Sequence, residues 1–186
     1  MKRLQSKAGF SLMEMLVTIV ILLLLTAGIG YSMDVGSKIY RESVFESHSA
    51  LLAETLNNSL NDILGNSTKA WALEAAEKEK YPADVNYAFN NPDYGAANAY
   101  IALNELGWQI LKIYSPEAEA KELVNTGAYP DLEIADFQIQ FYPRDTGTTG
   151  SQKYGGYFTI SYVIRSSNIG TLSREVQTVV RLVNNP

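Results

Sequence analysis

Apolar and polar positions follow three successive patterns along this chain. From Met15 to Met33 no charged residue occurs, and Leu, Ile and Val dominate. About 20 such residues in a helix match a hydrocarbon core of roughly 30 Å, so this stretch predicts a membrane-spanning helix. From Asp34 to about Leu64 the pattern becomes one-sided. Phe45, Leu52, Leu56, Leu60 and Ile63/Leu64 recur at spacings of three and four, with Val44, His48 and Leu51 nearby. Arg41, Glu42, Glu46, Glu54, Asn57, Asn58 and Asp62 fall between them, which makes an amphipathic stripe. No proline interrupts Phe10 to Lys80. The simplest reading is one long helix, apolar all round and then one-sided, that stops near Gly65-Asn66.

The middle of the chain reads as mostly helical. Ser67 or Thr68 can cap a second helix, and the Ala, Glu and Lys between Lys69 and Lys80 are good helix formers. Tyr81-Pro82 ends it, and residues 82 to 95 read as loop. Ala96 to Tyr114 predicts a helix followed by a short strand. Ser115-Pro116-Glu117 resembles a helix start with proline at its first position, running to about Val124. The last third alternates. Leu132–Tyr142, Tyr157–Arg165 and Ser173–Val183 are β-branched and aromatic, with turn-rich loops between them, and predict an antiparallel meander. One apolar face of it would cover the amphipathic half of the long helix. The expected class is α+β.

The segment before the apolar run changes the picture. Lys2, Arg3 and Lys7 form a basic leader, followed by Gly9-Phe10-Ser11-Leu12-Met13-Glu14 at the start of the apolar helix. Charged residues inside membrane segments are rare and cost roughly 2.5–3.5 kcal/mol at the bilayer centre. A purely anchoring helix has no use for Glu14. A charged leader ending in glycine, then Phe-Ser-Leu-Met-Glu, then a hydrophobic helix resembles the type IV prepilin signature, most specifically over Lys7 to about Leu25. The resemblance implies cleavage after Gly9 by a membrane-embedded prepilin peptidase/methyltransferase and N-methylation of Phe10. It also implies that Glu14 pairs with the Phe10 amine of an adjacent subunit. The pilin layout divides the chain into a leader (1–9), a transmembrane/assembly helix (10–33) and the amphipathic half of that helix (34–65). A mostly helical insertion (66–130) and the β-meander of a globular head (131–186) complete it. Positive flanking charge stays cytoplasmic, so the leader is expected on the cytoplasmic side of the cytoplasmic membrane and the head on the outer side. The competing reading of the same residues is a secretory signal peptide cleaved near Thr26-Ala27-Gly28; the length of the apolar run and Glu14 within its start count against it. Gly28 and Gly30 suit either close helix packing or a locally flexible stretch.

Composition bounds the function. The 186 residues carry a net charge of −5, and losing the three leader cations would bring the mature chain to about −8. That balance argues against nucleic acid as a partner, since phosphate binding uses clustered Lys and Arg. There is no cysteine. This excludes a lipoprotein anchor, a thiol nucleophile and the C-terminal disulfide loop of many major pilins. His48 is the sole histidine, and nothing in the sequence places a serine and carboxylate beside it. It is expected to pack or to sit at a boundary. Asp131, Glu133, Asp136 and Asp145 could in principle ligate calcium, but lack EF-hand spacing, and no metal is assigned. The sequons at Asn57 and Asn66 lie on expected helix and carry no weight. Most tyrosines are expected in the core and rim of the head, and an exposed aromatic patch would suggest adhesion or subunit contact.

No cofactor and no enzymatic activity are expected. The expected partners are other pilin subunits in a filament, the prepilin peptidase, an inner-membrane assembly platform, and membrane lipid before assembly. A minor pilin is favoured by the missing cysteine pair and the long insertion. A pseudopilin of a type II secretion or DNA-uptake system is the alternative. A membrane-anchored binding domain that never polymerises is a further class, as is an anchored hydrolase, for which the sequence shows no nucleophile–base set.

Overall fold

The computed structural model describes residues 11–103, 111–115, 118–144 and 155–183. The chain divides into two compact units, Met1–Val44 and Phe45–Pro186.

Helix α1 runs from Leu12 to Leu60 and supplies all the described structure of the first unit except Ser11. From Leu12 to Ser43 every residue is exposed. The apolar side chains of Leu12 to Leu25 therefore have no cover of their own and need lipid or other helices. Hydroxyls in this stretch turn back onto the helix. Thr18 donates to the Glu14 carbonyl (2.7 Å), Thr26 to those of Leu22 and Leu23 (3.0 Å each), and Ser32 to that of Gly28 (2.9 Å). No water is then needed to satisfy them in an apolar medium.

In the second unit the helix becomes one-sided at Phe45, later than the Asp34 that the sequence suggests. Its buried face is Phe45, Ser49, Leu52, Ala53, Leu56 and Leu60. A single π-helical turn, Asn61–Gly65, then carries Ile63 and Leu64 into the core and stops the helix at the expected place.

The C-terminal meander is present with its expected strands. β6 (Leu132–Pro143), β7 (Gly156–Ser166) and β8 (Ser173–Arg181) form a three-stranded antiparallel sheet in that order. Alternation along β7 puts Phe158, Ile160, Tyr162 and Ile164 on the buried face. The Tyr162 hydroxyl donates to the Ala53 carbonyl (3.4 Å) and to Asn57 Oδ1 (3.2 Å), which ties this sheet to α1. Gly156, at φ +155°, holds a position where a Cβ would lie 2.0 Å from the Tyr142 carbonyl oxygen.

The helical insertion is not found. Residues 66–130 instead hold a five-stranded antiparallel sheet: β1 (Lys69–Ala72), β2 (Tyr87–Asn91), β3 (Ala96–Leu103), β4 (Leu111–Ser115) and β5 (Ala118–Glu122), in chain order. The expected second helix shrinks to a short 3-10 turn at Lys78–Lys80, and the helix expected after Ser115 is strand β5. Tertiary packing overrides propensity here. Ala70, Ala88 and Ala99 are fully buried, so alanine acts as a small residue that lets strands approach, not as a helix former. The α+β class stands. Leu52–Leu64, the inner faces of both sheets, and rings such as Tyr87, Phe141 and Phe158 share one core. Leu73, Val85 and Ala88 form a smaller cluster with Trp71, Tyr81 and Tyr100 packed against it.

Burial of two tyrosines makes alkaline stability testable. The Tyr87 hydroxyl is pushed well above its ordinary value of 10 mainly by burial, with the nearby Asp84 charge adding to the rise and its bond to the Ile101 backbone opposing it. Tyr162 is raised by burial, partly offset by Arg174. A raised folded-state value means that the neutral form stabilises the fold. That contribution is complete below about pH 10, the unfolded value, and fades as pH rises beyond it. Thermal unfolding followed by circular dichroism should hold steady from pH 7 to 9 and drop steeply above pH 10. Tyr162→Phe should reduce that drop.

Candidate functional site

The candidate site is the start of α1. Ser11 stands at the helix N-cap position: its carbonyl accepts from the Met15 amide at 3.1 Å. The Glu14 carboxylate reaches back to the Ser11 amide at 3.4 Å. This is one half of a capping box, in which a Ser-x-x-Glu pattern lets the side chain at the third helical position serve an otherwise orphaned donor. The spacing of Ser11 and Glu14 is the sequence signal for this contact, and the charge argument alone does not find it. The two readings are compatible. A carboxylate in the first turn also meets the positive end of the helix dipole.

Gly9 and Phe10, the expected cleavage and methylation positions, lie outside the described residues. Glu14 lies on an exposed helix surface, where its side chain can meet a partner outside the chain. Along the same helix, a Cβ added at Gly28, Gly30 or Gly36 would meet nothing within 4 Å. The isolated chain has no steric need for glycine at these points.

Other candidates disperse. His48 is exposed and stands beside buried Ser49, so of its expected packing or boundary role the packing half does not hold. The Asp136 carboxylate pairs with the Arg165 guanidinium. Asp131 accepts from the Asn168 amide at 2.7 Å, and Asp145 lies outside the described residues. Among the described residues no group of three or more His, Cys, Asp or Glu is placed to hold a metal. Of the tyrosines, Tyr87 and Tyr162 are core residues, whereas Tyr142 and Tyr157 are exposed and stack on one another.

Residues 4–30 match the model of the prokaryotic N-terminal methylation motif. Comparison with curated proteins and with solved structures gives no match. The matched stretch takes in Lys7, the Gly9-Phe10 step, Glu14 and most of the apolar run. That motif, leading into one long helix whose later part packs on antiparallel sheets, supports a type IV prepilin/pilin-like protein.

Proposed function

We propose that this chain is a structural subunit of a type IV pilus or related filament, most consistent with a minor pilin. The prepilin peptidase removes residues 1–9 and methylates the Phe10 amine. The subunit waits in the cytoplasmic membrane with its head outside, then joins other pilin subunits through an assembly platform. In the filament Glu14 compensates the Phe10 amine of a neighbour. The observation that carries this reading is a helix apolar on every side, with one carboxylate in its first turn. A helix of that kind is satisfied either by lipid or by copies of itself. The five-stranded sheet between helix and meander, together with the absence of cysteine, supports a specialised subunit over the main building block.

The test is fractionation of the native cell. Filaments sheared from the surface should contain this chain at a low ratio to a more abundant subunit. Recovery in short periplasmic or membrane-associated filaments of a secretion or DNA-uptake system would favour the pseudopilin. Confinement to the membrane fraction while filaments are being made would contradict subunit function.

A further inference from the structure

We propose that the outer face of β6 and β7, with the cavity beside it, binds a neutral oligosaccharide. This reading is independent of whether the chain polymerises.

Three successive cross-strand pairs define the surface: Gln138 with Ser161, Gln140 with Thr159, and Tyr142 with Tyr157. Side chains on one face of a strand recur every second residue, so these pairs step along it at roughly 6.5–7 Å. The first two pairs line a cavity of about 500 Å³. That falls within the range of small-molecule sites, about 300–1,000 Å³. Asp84 and Asn86, from the segment before β2, line it too. Phe137 and Ile139, both half-buried, add apolar wall. The third pair provides an aromatic end. Its rings stack with centroids 5.0 Å apart at 13°, and Tyr142 and Tyr157 remain 38% and 41% exposed. Such exposure is uncommon for large apolar residues in this unit, where most are covered.

The polar groups are left with capacity to spare. Among the described residues, the Gln138 amide and the Thr159 and Ser161 hydroxyls make no side-chain hydrogen bond. Gln140 Oε1 accepts from the Tyr142 hydroxyl (2.9 Å), and Asn86 Oδ1 accepts from the Lys78 ammonium (2.8 Å). Each of these residues keeps its NH2 group to donate. The cavity thus offers both donors and acceptors beside apolar wall and aromatic rings. A pyranose has the complementary make-up, with hydroxyls around its rim and C–H groups on its faces. Aromatic side chains combine apolar area with a polar handle and suit such a ligand. Asp84 is the one charged side chain among the described lining residues. Its carboxylate accepts from hydroxyls, while Lys78 on Asn86 and Arg181 across from Tyr157 stand nearby as cations, so the choice of a neutral sugar rests on the hydrogen-bonding and aromatic groups.

The test is isothermal titration of the full chain in lipid nanodiscs. The probes are cellohexaose, maltohexaose and the N-acetylglucosamine hexamer, with a heparin hexasaccharide and the peptide Thr-Gln-Thr-Gln-Thr-Gln beside them. At least one neutral sugar should bind with Kd at or below about 1 mM. Tyr157→Ala should weaken it about tenfold, and the double variant Gln138→Ala/Ser161→Ala should abolish it. Both variants alter exposed or half-exposed positions, and an unchanged unfolding midpoint verifies their folding. The proposal is overturned if no neutral sugar binds at 10-fold higher concentration, if binding survives both variants, or if only heparin or the peptide binds.

Discussion

Glu14→Ala is expected to lower incorporation of this chain into filaments about 100-fold while leaving its membrane insertion intact. An unpaired charge within hydrocarbon costs roughly 2.5–3.5 kcal/mol, and each 1.4 kcal/mol is about tenfold in an equilibrium. Removing the carboxylate relieves that cost for the subunit in lipid. In the filament it leaves a neighbour's Phe10 amine without compensation. Both changes shift the balance from filament to membrane. The structure adds a rival role, because the same carboxylate caps its own helix through the Ser11 amide. Loss of a cap contact costs about 0.5–2 kcal/mol and frays one helix end. Glu14→Gln separates the two roles. Glutamine retains an oxygen for the Ser11 amide and serves a capping box as glutamate does, but it has no charge to offer an amine. Both variants should therefore fail to assemble, as read by immunoblotting of sheared filaments against the membrane fraction. Normal assembly of Glu14→Gln beside failure of Glu14→Ala would assign Glu14 to capping alone.

Phe158→Ala should unfold the globular unit at markedly lower temperature. Phe158 is fully buried at the centre of the core that β7 crosses. Its ring meets Tyr87 of β2 edge-on at 5.3 Å and Phe141 of β6 at 4.9 Å. Its register partners are Phe141 and Val180. One side chain therefore joins both sheets in the core that also receives Leu56 and Leu60 of α1. Truncating a buried Phe to Ala costs about 3–5 kcal/mol, against a total stability of about 5–15 kcal/mol. A fall in Tm of roughly 10–20 °C follows for a unit of this size. Tyr157→Ala, one residue earlier and exposed, should move Tm by only a few degrees. Equal shifts for the two variants, read by near-ultraviolet circular dichroism, would mean that the sheets do not share this core.

Sequence patterning reveals the two ends of the molecule and misjudges its middle, for a physical reason. α1 and the meander rest on burial of one face, and burial leaves a period that can be read: 3.6 from Phe45 to Leu60, and 2 along β7. The five-stranded sheet leaves a weaker trace. β2 is buried at four of its five residues, so alternation is lost. β1 and β3 are rich in alanine, which has no strand preference of its own. β5 is Ala-Glu-Ala-Lys-Glu on a sheet edge, a sequence that favours helix until β4 supplies a partner. At the site, Glu14 is legible because a charge in an apolar run is conspicuous. The cavity beside β6 is not, because it gathers residues near 84, 138 and 160, which only the fold brings together.

The most direct test of the central claim is intact-mass and N-terminal peptide mass spectrometry of the chain taken from its native membrane. The expected product begins at Phe10 and carries one added methyl group on its amine. A chain that still holds Gly9 and the basic leader, in cells whose prepilin peptidase is active, would contradict processing as a pilin. A chain beginning near Ala27 would contradict it as well and would make residues 1–26 an ordinary secretion signal.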